Sequence, residues 1–146
     1  MLRGHHPARI DDKGRLKIPA PFKLELEQQY GEEFYVTSLE STYVRVYPME
    51  EWSKVEQRLA ESSTFNKVRR KFLDRANYYG QVVRWDKQGR ILLPTLLREV
   101  ADMKGEVAVL GNLGYLSVWN KERFLKHIEN NPITPEDEEL LDQLGI

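Results

Sequence analysis

Cysteine is absent from the 146-residue chain. That excludes disulfide staples and every zinc site built on thiolates, and it allows a reducing cytoplasm. No apolar run reaches the roughly 20 residues of a membrane-spanning helix. The opening MLRGHHPARIDDKG lacks the apolar stretch of a signal peptide. Histidine is scarce: His5, His6 and His127. His5 and His6 are adjacent, and adjacent strand residues point to opposite faces, so they make a poor metal pair. G-x-S-x-G, the P-loop, G-x-G-x-x-G and H-E-x-x-H are all missing. With them go the commonest signatures of hydrolases, nucleotide-binding proteins and zinc proteases. An enzyme is therefore not expected, and neither is a metal or other cofactor.

Net charge is small too, at −1. Its distribution is uneven. Residues 1–23 carry Arg3, Arg9, Lys13, Arg15, Lys17 and Lys23 against Asp11 and Asp12. Residues 67–98 carry Lys67, Arg69, Arg70, Lys71, Arg75, Arg84, Lys87, Arg90 and Arg98 against Asp74 and Asp86. The stretch from Pro132 holds Glu136, Asp137, Glu138, Glu139 and Asp142 with no basic residue. Clustered cations of this kind suit a nucleic-acid partner despite the neutral total. Apolar residues make up 40% and charged residues 31%, a composition that fits a soluble globular chain.

What the chain does have is one phrase said twice. RIDDKGRLKIPAPFKLEL starts at Arg9, and RWDKQGRILLPTLLREVA starts at Arg84, 75 positions later without a gap. Asp11, Gly14, Arg15 and Pro19 recur as Asp86, Gly89, Arg90 and Pro94. The expected grammar is strand, turn, strand, short helix. Gly sits where a tight turn wants positive φ. Pro lacks an N–H, so it stops the strand and can start a helix. The expected helices are 20–28 and 95–101.

A looser repeat follows each phrase. Residues 31–52 resemble 105–124, with Tyr43 matching Tyr115, Val46 matching Val118 and Tyr47 matching Trp119. The spacing predicts strands over 34–39 and 43–47, with Gly111 and Gly114 bracketing the second hairpin turn. Helices are expected over 49–60, 65–78 and 121–130. The middle one has Phe65, Val68, Phe72 and Ala76 as its apolar stripe, Ser62-Ser63-Thr64 as the break that offers its N-cap and Gly80 as its close. Thr134 could cap one further short helix. One half alone is too small for an adequate core, so the halves should complete each other. The expected organisation is 1–52 as a first module, 53–80 as a helical insert, 81–130 as a second module and 131–146 as an acidic tail.

The informative constellation is Asp11 with Arg15 and Asp86 with Arg90. Read blandly, each is an ion pair that stiffens a turn, and exposed pairs contribute little. Arginine forks also match phosphates and guanine edges bidentately. Further cations flank both turns, and a two-stranded ribbon is among the elements that enter a major groove. The aspartates then read as positioning groups. The candidate DNA-binding residues are Arg15, Arg90, Asp11, Asp86, Lys13, Arg3, Lys23, Arg98 and Lys87. The cations of 67–75 are more simply a solvated helix face, and the tryptophans are more simply core or subunit contacts than base-stacking platforms.

D-x-x-G-R-[LI]-x-[IL]-P followed by a short helix, twice, resembles the SpoVT/AbrB swapped-hairpin module. Two copies around a helical insert, with MLRG at the start, resemble the MraZ family from Met1 to about Asn130. The resemblance implies an α+β fold: an intramolecular pseudo-dimer of two swapped-hairpin, double-ψ-like β modules with peripheral helices. It also implies a ring-shaped homo-oligomer in the cytoplasm, associated with the nucleoid. Such rings bind short direct repeats in double-stranded DNA upstream of the division and cell-wall gene cluster, usually as repressors. A ring has a physical logic, since it repeats one binding mouth at fixed spacing. The rival reading is a scaffold module that binds another protein, as antitoxin-type relatives do. Salt separates the two, because phosphate contacts weaken steeply with ionic strength.

Overall fold

The computed structural model describes residues 1–62 and 66–146. The first phrase forms β1 (His5–Ile10), β2 (Arg15–Lys17) and α1 (Ala20–Gln29). After it come β3 (Glu33–Thr37) and β4 (Val44–Pro48), then the inserted α2 (Met49–Glu61) and α3 (Asn66–Tyr78). The second phrase forms β5 (Gln81–Arg84), β6 (Arg90–Leu92) and α4 (Thr95–Val100). It continues into β7 (Gly105–Asn112), β8 (Tyr115–Asn120), α5 (Lys121–Asn130) and α6 (Pro135–Gln143). Pro19 and Pro94 stand at the N-caps of α1 and α4 with φ of −55° and −58°. Each therefore ends a strand and opens a helix, as the missing N–H requires.

All eight strands share one antiparallel sheet in the order β5-β3-β4-β8-β7-β1-β2-β6. The halves exchange strands. β1 pairs with β7 of the second half, and β5 pairs with β3 of the first. The two phrases meet at β2 and β6, where Leu16 lies opposite Ile91, its own counterpart in the repeat. β4 and β8 meet in the same way, with Arg45 opposite Ser117. A pseudo-twofold axis therefore passes through both crossings. β5 and β6, the ends of the order, are joined by the second turn. There the Asp86 N–H donates to the Arg90 carbonyl at 2.8 Å, so the sheet nearly closes into a barrel.

The core shows why neither half stands alone. Leu16, Ile18, Phe22 and Leu26 are buried with their counterparts Ile91, Leu93, Leu97 and Ala101 in one cluster. Each fully buried Leu, Ile or Phe contributes about 1.5–3 kcal/mol, and this one cluster draws them from both halves. A second cluster of Tyr35, Tyr47, Trp52 and Ala76 seats α2 and α3 on the β3–β4 side. Tyr35 stacks on Trp52 at 4.5 Å, and both Tyr35 Oη and Thr37 Oγ1 donate to the Ala76 carbonyl at 2.9 Å.

Three expectations need correction. Val68 does not join the apolar stripe of α3: it is 62% exposed. The helix is anchored at its C-terminal half, through Phe72 against Trp52 and through Ala76, so the stripe ends before Val68. The expected roles of Ser63, Thr64 and Phe65 fall outside the described residues. Gly111 is not a turn residue. It lies inside β7, and the left-handed position of the β7–β8 turn is taken by Leu113 at φ 65°. A Cβ on Gly111 would sit 2.5 Å from the Arg3 Cα, so this glycine admits the passing N-terminal backbone. Gly80 likewise serves close approach to Tyr35 and Ala76 rather than a left-handed cap.

Candidate nucleic-acid interface

Each D-x-x-G-R segment builds the same turn from bonds made within five residues. Asp11 Oδ1 accepts from the backbone N–H groups of Lys13 at 3.0 Å and Arg15 at 2.9 Å. Its Oδ2 accepts from Arg15 Nε at 2.7 Å. Asp86 repeats the pattern with Gln88 N at 2.9 Å, Arg90 N at 3.0 Å and Arg90 Nε at 2.8 Å. Gly14 and Gly89 take φ of 84° and 73°, the left-handed conformation only glycine adopts without strain. The backbone N–H of Arg15, followed by its side chain and Lys13, holds the Asp11 carboxyl below the ordinary value of 3.8, and the Arg90 set does the same for Asp86.

These ion pairs are exposed and worth little as stabilisers. Their consequence is orientation. Only Nε of each arginine is engaged, and the η nitrogens of Arg15 and Arg90 have no hydrogen-bond partner among the described residues. Two planar forks are thus held at their stems with their outer donors unspent.

The β2–β6 crossing carries both forks on one ribbon. Leu16 and Ile91 point inward, so the residues flanking them point outward. Arg15 lies opposite Leu92, and Lys17 lies opposite Arg90. The Gly14 carbonyl accepts from Leu93 N at 3.0 Å, and the Gly89 carbonyl accepts from Ile18 N at 3.0 Å. Each turn is thereby tied to the other phrase. The helices complete the exchange: Arg98 lies across Gly14, and Lys23 lies across Gly89. Arg98 donates from Nε to the Leu93 carbonyl at 3.0 Å. Lys23 bridges Glu27 at 2.7 Å and sits 5.3 Å from the Trp85 ring centre.

Of the sequence candidates, the structure brings together Asp11, Arg15, Asp86, Arg90, Lys23 and Arg98, with Lys13 and Lys87 on the turns themselves. Arg3 is not brought there. It stands beside Gly111 beyond the far end of β1, on the order of 20 Å along the strand from the turn. Arg9 and Arg84 are each matched across the sheet by an acid, Glu106 at 3.5 Å and Glu33 at 3.1 Å. The α3 cations ride on the helix seated against Trp52, not on the ribbon. Lys17 is not among the candidates above, yet the register puts it beside Arg90. The outward–inward–outward pattern of Arg15, Leu16 and Lys17 was its signal.

The pseudo-symmetry is broken in charge. Asp12 on the first turn corresponds to Lys87 on the second, and Lys17 corresponds to Leu92. Because β2 and β6 run antiparallel, Lys17 adds to the Arg90 end. The second turn is the more basic end of the ribbon. Among the described residues, no group of His, Asp and Glu could hold a metal ion, and no helix is long and apolar enough to cross a membrane.

Comparison with known proteins agrees with the doubled architecture. The family described as "MraZ protein, putative antitoxin-like" matches residues 1–75 and 81–144. Relatives carrying the name "Transcriptional regulator MraZ" align along the whole chain. The protein of Acidobacterium capsulatum is 51% identical over 146 residues, covering 100% of both chains. That of Koribacter versatilis is 54% identical over 147 residues, again covering 100% of both. One from Neisseria meningitidis is 33% identical over 150 residues, covering 99% of this chain and 96% of its own. With both modules matched and full-length relatives above half identity, the chain belongs to the MraZ family.

Proposed function

We propose that this chain is a sequence-specific, double-stranded-DNA-binding transcription regulator that works without a cofactor. The observation that carries the reading is the pair Arg15 and Arg90: two forks on one outward ribbon, each pinned through Nε by its own aspartate. A two-stranded ribbon fits a major groove about 12 Å wide, and arginine forks match guanine edges there. Lys13, Lys17, Lys23, Lys87 and Arg98 surround the forks and suit the flanking phosphates. Arg3 lies apart from this face and would reach DNA only at a second contact. The names of the relatives support a role in transcription.

In the finer form of the proposal, 1–52 and 81–130 act as two modules around the insert 53–80, with 131–146 as a tail. The chain assembles into a ring in the cytoplasm, at the nucleoid. It binds short direct repeats upstream of the division and cell-wall gene cluster and represses it. The second reading, a protein-binding module of antitoxin type, draws on the family's description. Footprinting on the DNA upstream of its own gene, with a salt series, tests both. A protected repeat whose affinity falls steeply with salt supports the regulator. Affinity for no DNA, with salt-insensitive capture of a protein, supports the rival.

A further inference from the structure

The segment after Asn131 forms a helix that its own chain does not hold. α6 opens with a capping box: Thr134 Oγ1 accepts from Asp137 N at 3.2 Å, and Asp137 Oδ2 accepts from Thr134 N at 2.9 Å. Nine residues are too few for a stable helix in water without tertiary support. Yet α6 buries no residue, and among the described residues its side chains make no ion pair or hydrogen bond to another element. Leu140, Leu141 and Leu144 share one face, with Leu140 62% and Leu144 74% exposed and Leu141 half-buried. Glu136, Glu138, Glu139 and Asp142 surround that face.

The complementary surface lies on α3. Val68, Lys71, Arg75 and Tyr78 fall on successive turns of one face, with Val68 and Tyr78 both exposed. Lys71, Asp74, Arg75, Tyr78 and Tyr79 line a shallow open groove there. Lys67, Arg70 and Lys71 have no side-chain partner among the described residues, and Asp74 is the only acid on the helix. The two faces match in charge, in apolar content and in length. Val68 to Tyr78 spans about 15 Å and α6 about 14 Å.

We propose that α6 of one chain docks on α3 of a second copy, acids over the α3 cations and leucines against Val68 and Tyr78. The contact is heterologous, so it propagates head to tail and closes a ring or extends a filament. This rests on the ring reading above and names its joint.

The test uses the full-length chain and light scattering. One variant reverses the tail (Glu136→Lys, Glu139→Lys, Asp142→Lys). Another reverses α3 (Lys67→Glu, Lys71→Glu, Arg75→Glu). Wild type is expected well above the 17.2 kDa of one chain. Each variant alone, folded by circular dichroism, is expected to run as monomer, and their equimolar mixture to reassemble. Reassembly on mixing requires contact between chains, so docking within one chain gives no rescue. Leu140→Ser with Leu144→Ser, which leaves all charges in place, should raise the assembly midpoint concentration at least tenfold. Reversed variants that assemble like wild type overturn the joint and leave the ring standing. So does a tail-reversed variant that stays assembled but binds DNA more tightly, since the tail then covers the ribbon. A monomeric wild type overturns both the joint and the ring.

Discussion

Arg98 lies across Gly14, so close that a Cβ on the glycine would come within 2.5 Å of its Nε. The two residues belong to different halves, and the contact joins the helix of the second phrase to the turn of the first. Gly14→Ala thus has two effects. A side chain at φ 84° costs about 1–2 kcal/mol. The guanidinium, at the end of a flexible stem, also moves off the turn. The expected result is a lower urea midpoint together with weaker DNA binding. Arg98→Ala should reproduce the binding loss with none of the backbone strain, losing only what its bond to the Leu93 carbonyl contributes.

Arg15 and Arg90 are expected to act as a pair. Each single alanine substitution should weaken binding by about 1–3 kcal/mol, and the double substitution should abolish sequence preference at the measured concentrations. Lysine keeps the charge but lacks the fork, so Arg90→Lys should retain binding to random DNA better than binding to the protected repeat. Asp12→Lys, which makes the first turn resemble the second, should tighten binding and increase its salt dependence. Fluorescence anisotropy with specific and random duplexes reads all five variants, and unchanged affinity in the double alanine variant would refute the interface.

Gly80 and Gly31 separate space from flexibility. A Cβ on Gly80 would collide with the Ala76 carbonyl and lie 2.5 Å from Tyr35 Cζ. That contact holds α3 to the sheet through the bonds of Tyr35 and Thr37 to Ala76. Gly80→Ala should cost at least about 1–3 kcal/mol. Gly31 has nothing within 4 Å of its Cβ position and no positive φ, so Gly31→Ala should be neutral or slightly stabilising. Thermal melts of the two variants check the contrast.

Acid should loosen the two turns together. Asp11 and Asp86 are held below the ordinary value of 3.8, chiefly by the backbone N–H groups of Arg15 and Arg90. Carboxylates depressed in the folded state contribute fully above that ordinary value and lose the contribution as pH falls through their folded values. Their contribution to stability should therefore be constant from pH 7 to about 5 and decline below about 4. Asn at both positions should remove that part of the acid dependence while leaving the rest of the unfolding curve in place. Urea midpoints across the range, wild type against the double variant, measure it.

Much of this site is local and could be read from residue order. The Asp–Gly–Arg turn closes on itself through bonds two and four residues apart. Its two occurrences therefore announced the same geometry twice. Pro19 and Pro94 announced the helix starts for the same reason. The aromatic and β-branched runs announced β3, β4 and β8, because such side chains suit a half-buried pleat. The acidic stretch also showed Thr134 as a cap, which needs only its own next three residues.

The remainder depended on which strands lie side by side. Strands as short as β2 and β6 carry three residues each, too few for alternation to specify a register. Only the folded sheet put Lys17 beside Arg90, matched Arg9 and Arg84 to acids across the ladder, and carried Arg3 away from the turns. Val68 falls off the packed face although helical periodicity marks every apolar position alike, because the packing of Trp52 and Tyr35 reaches only Phe72 and Ala76 of α3. Sequence by itself determined the doubled turn, its glycine and its paired Asp and Arg, because those bonds are short-range. The crossing that sets two such turns on one ribbon, each overlain by the other half's helix, was decided by long-range strand exchange, which no local pattern encodes.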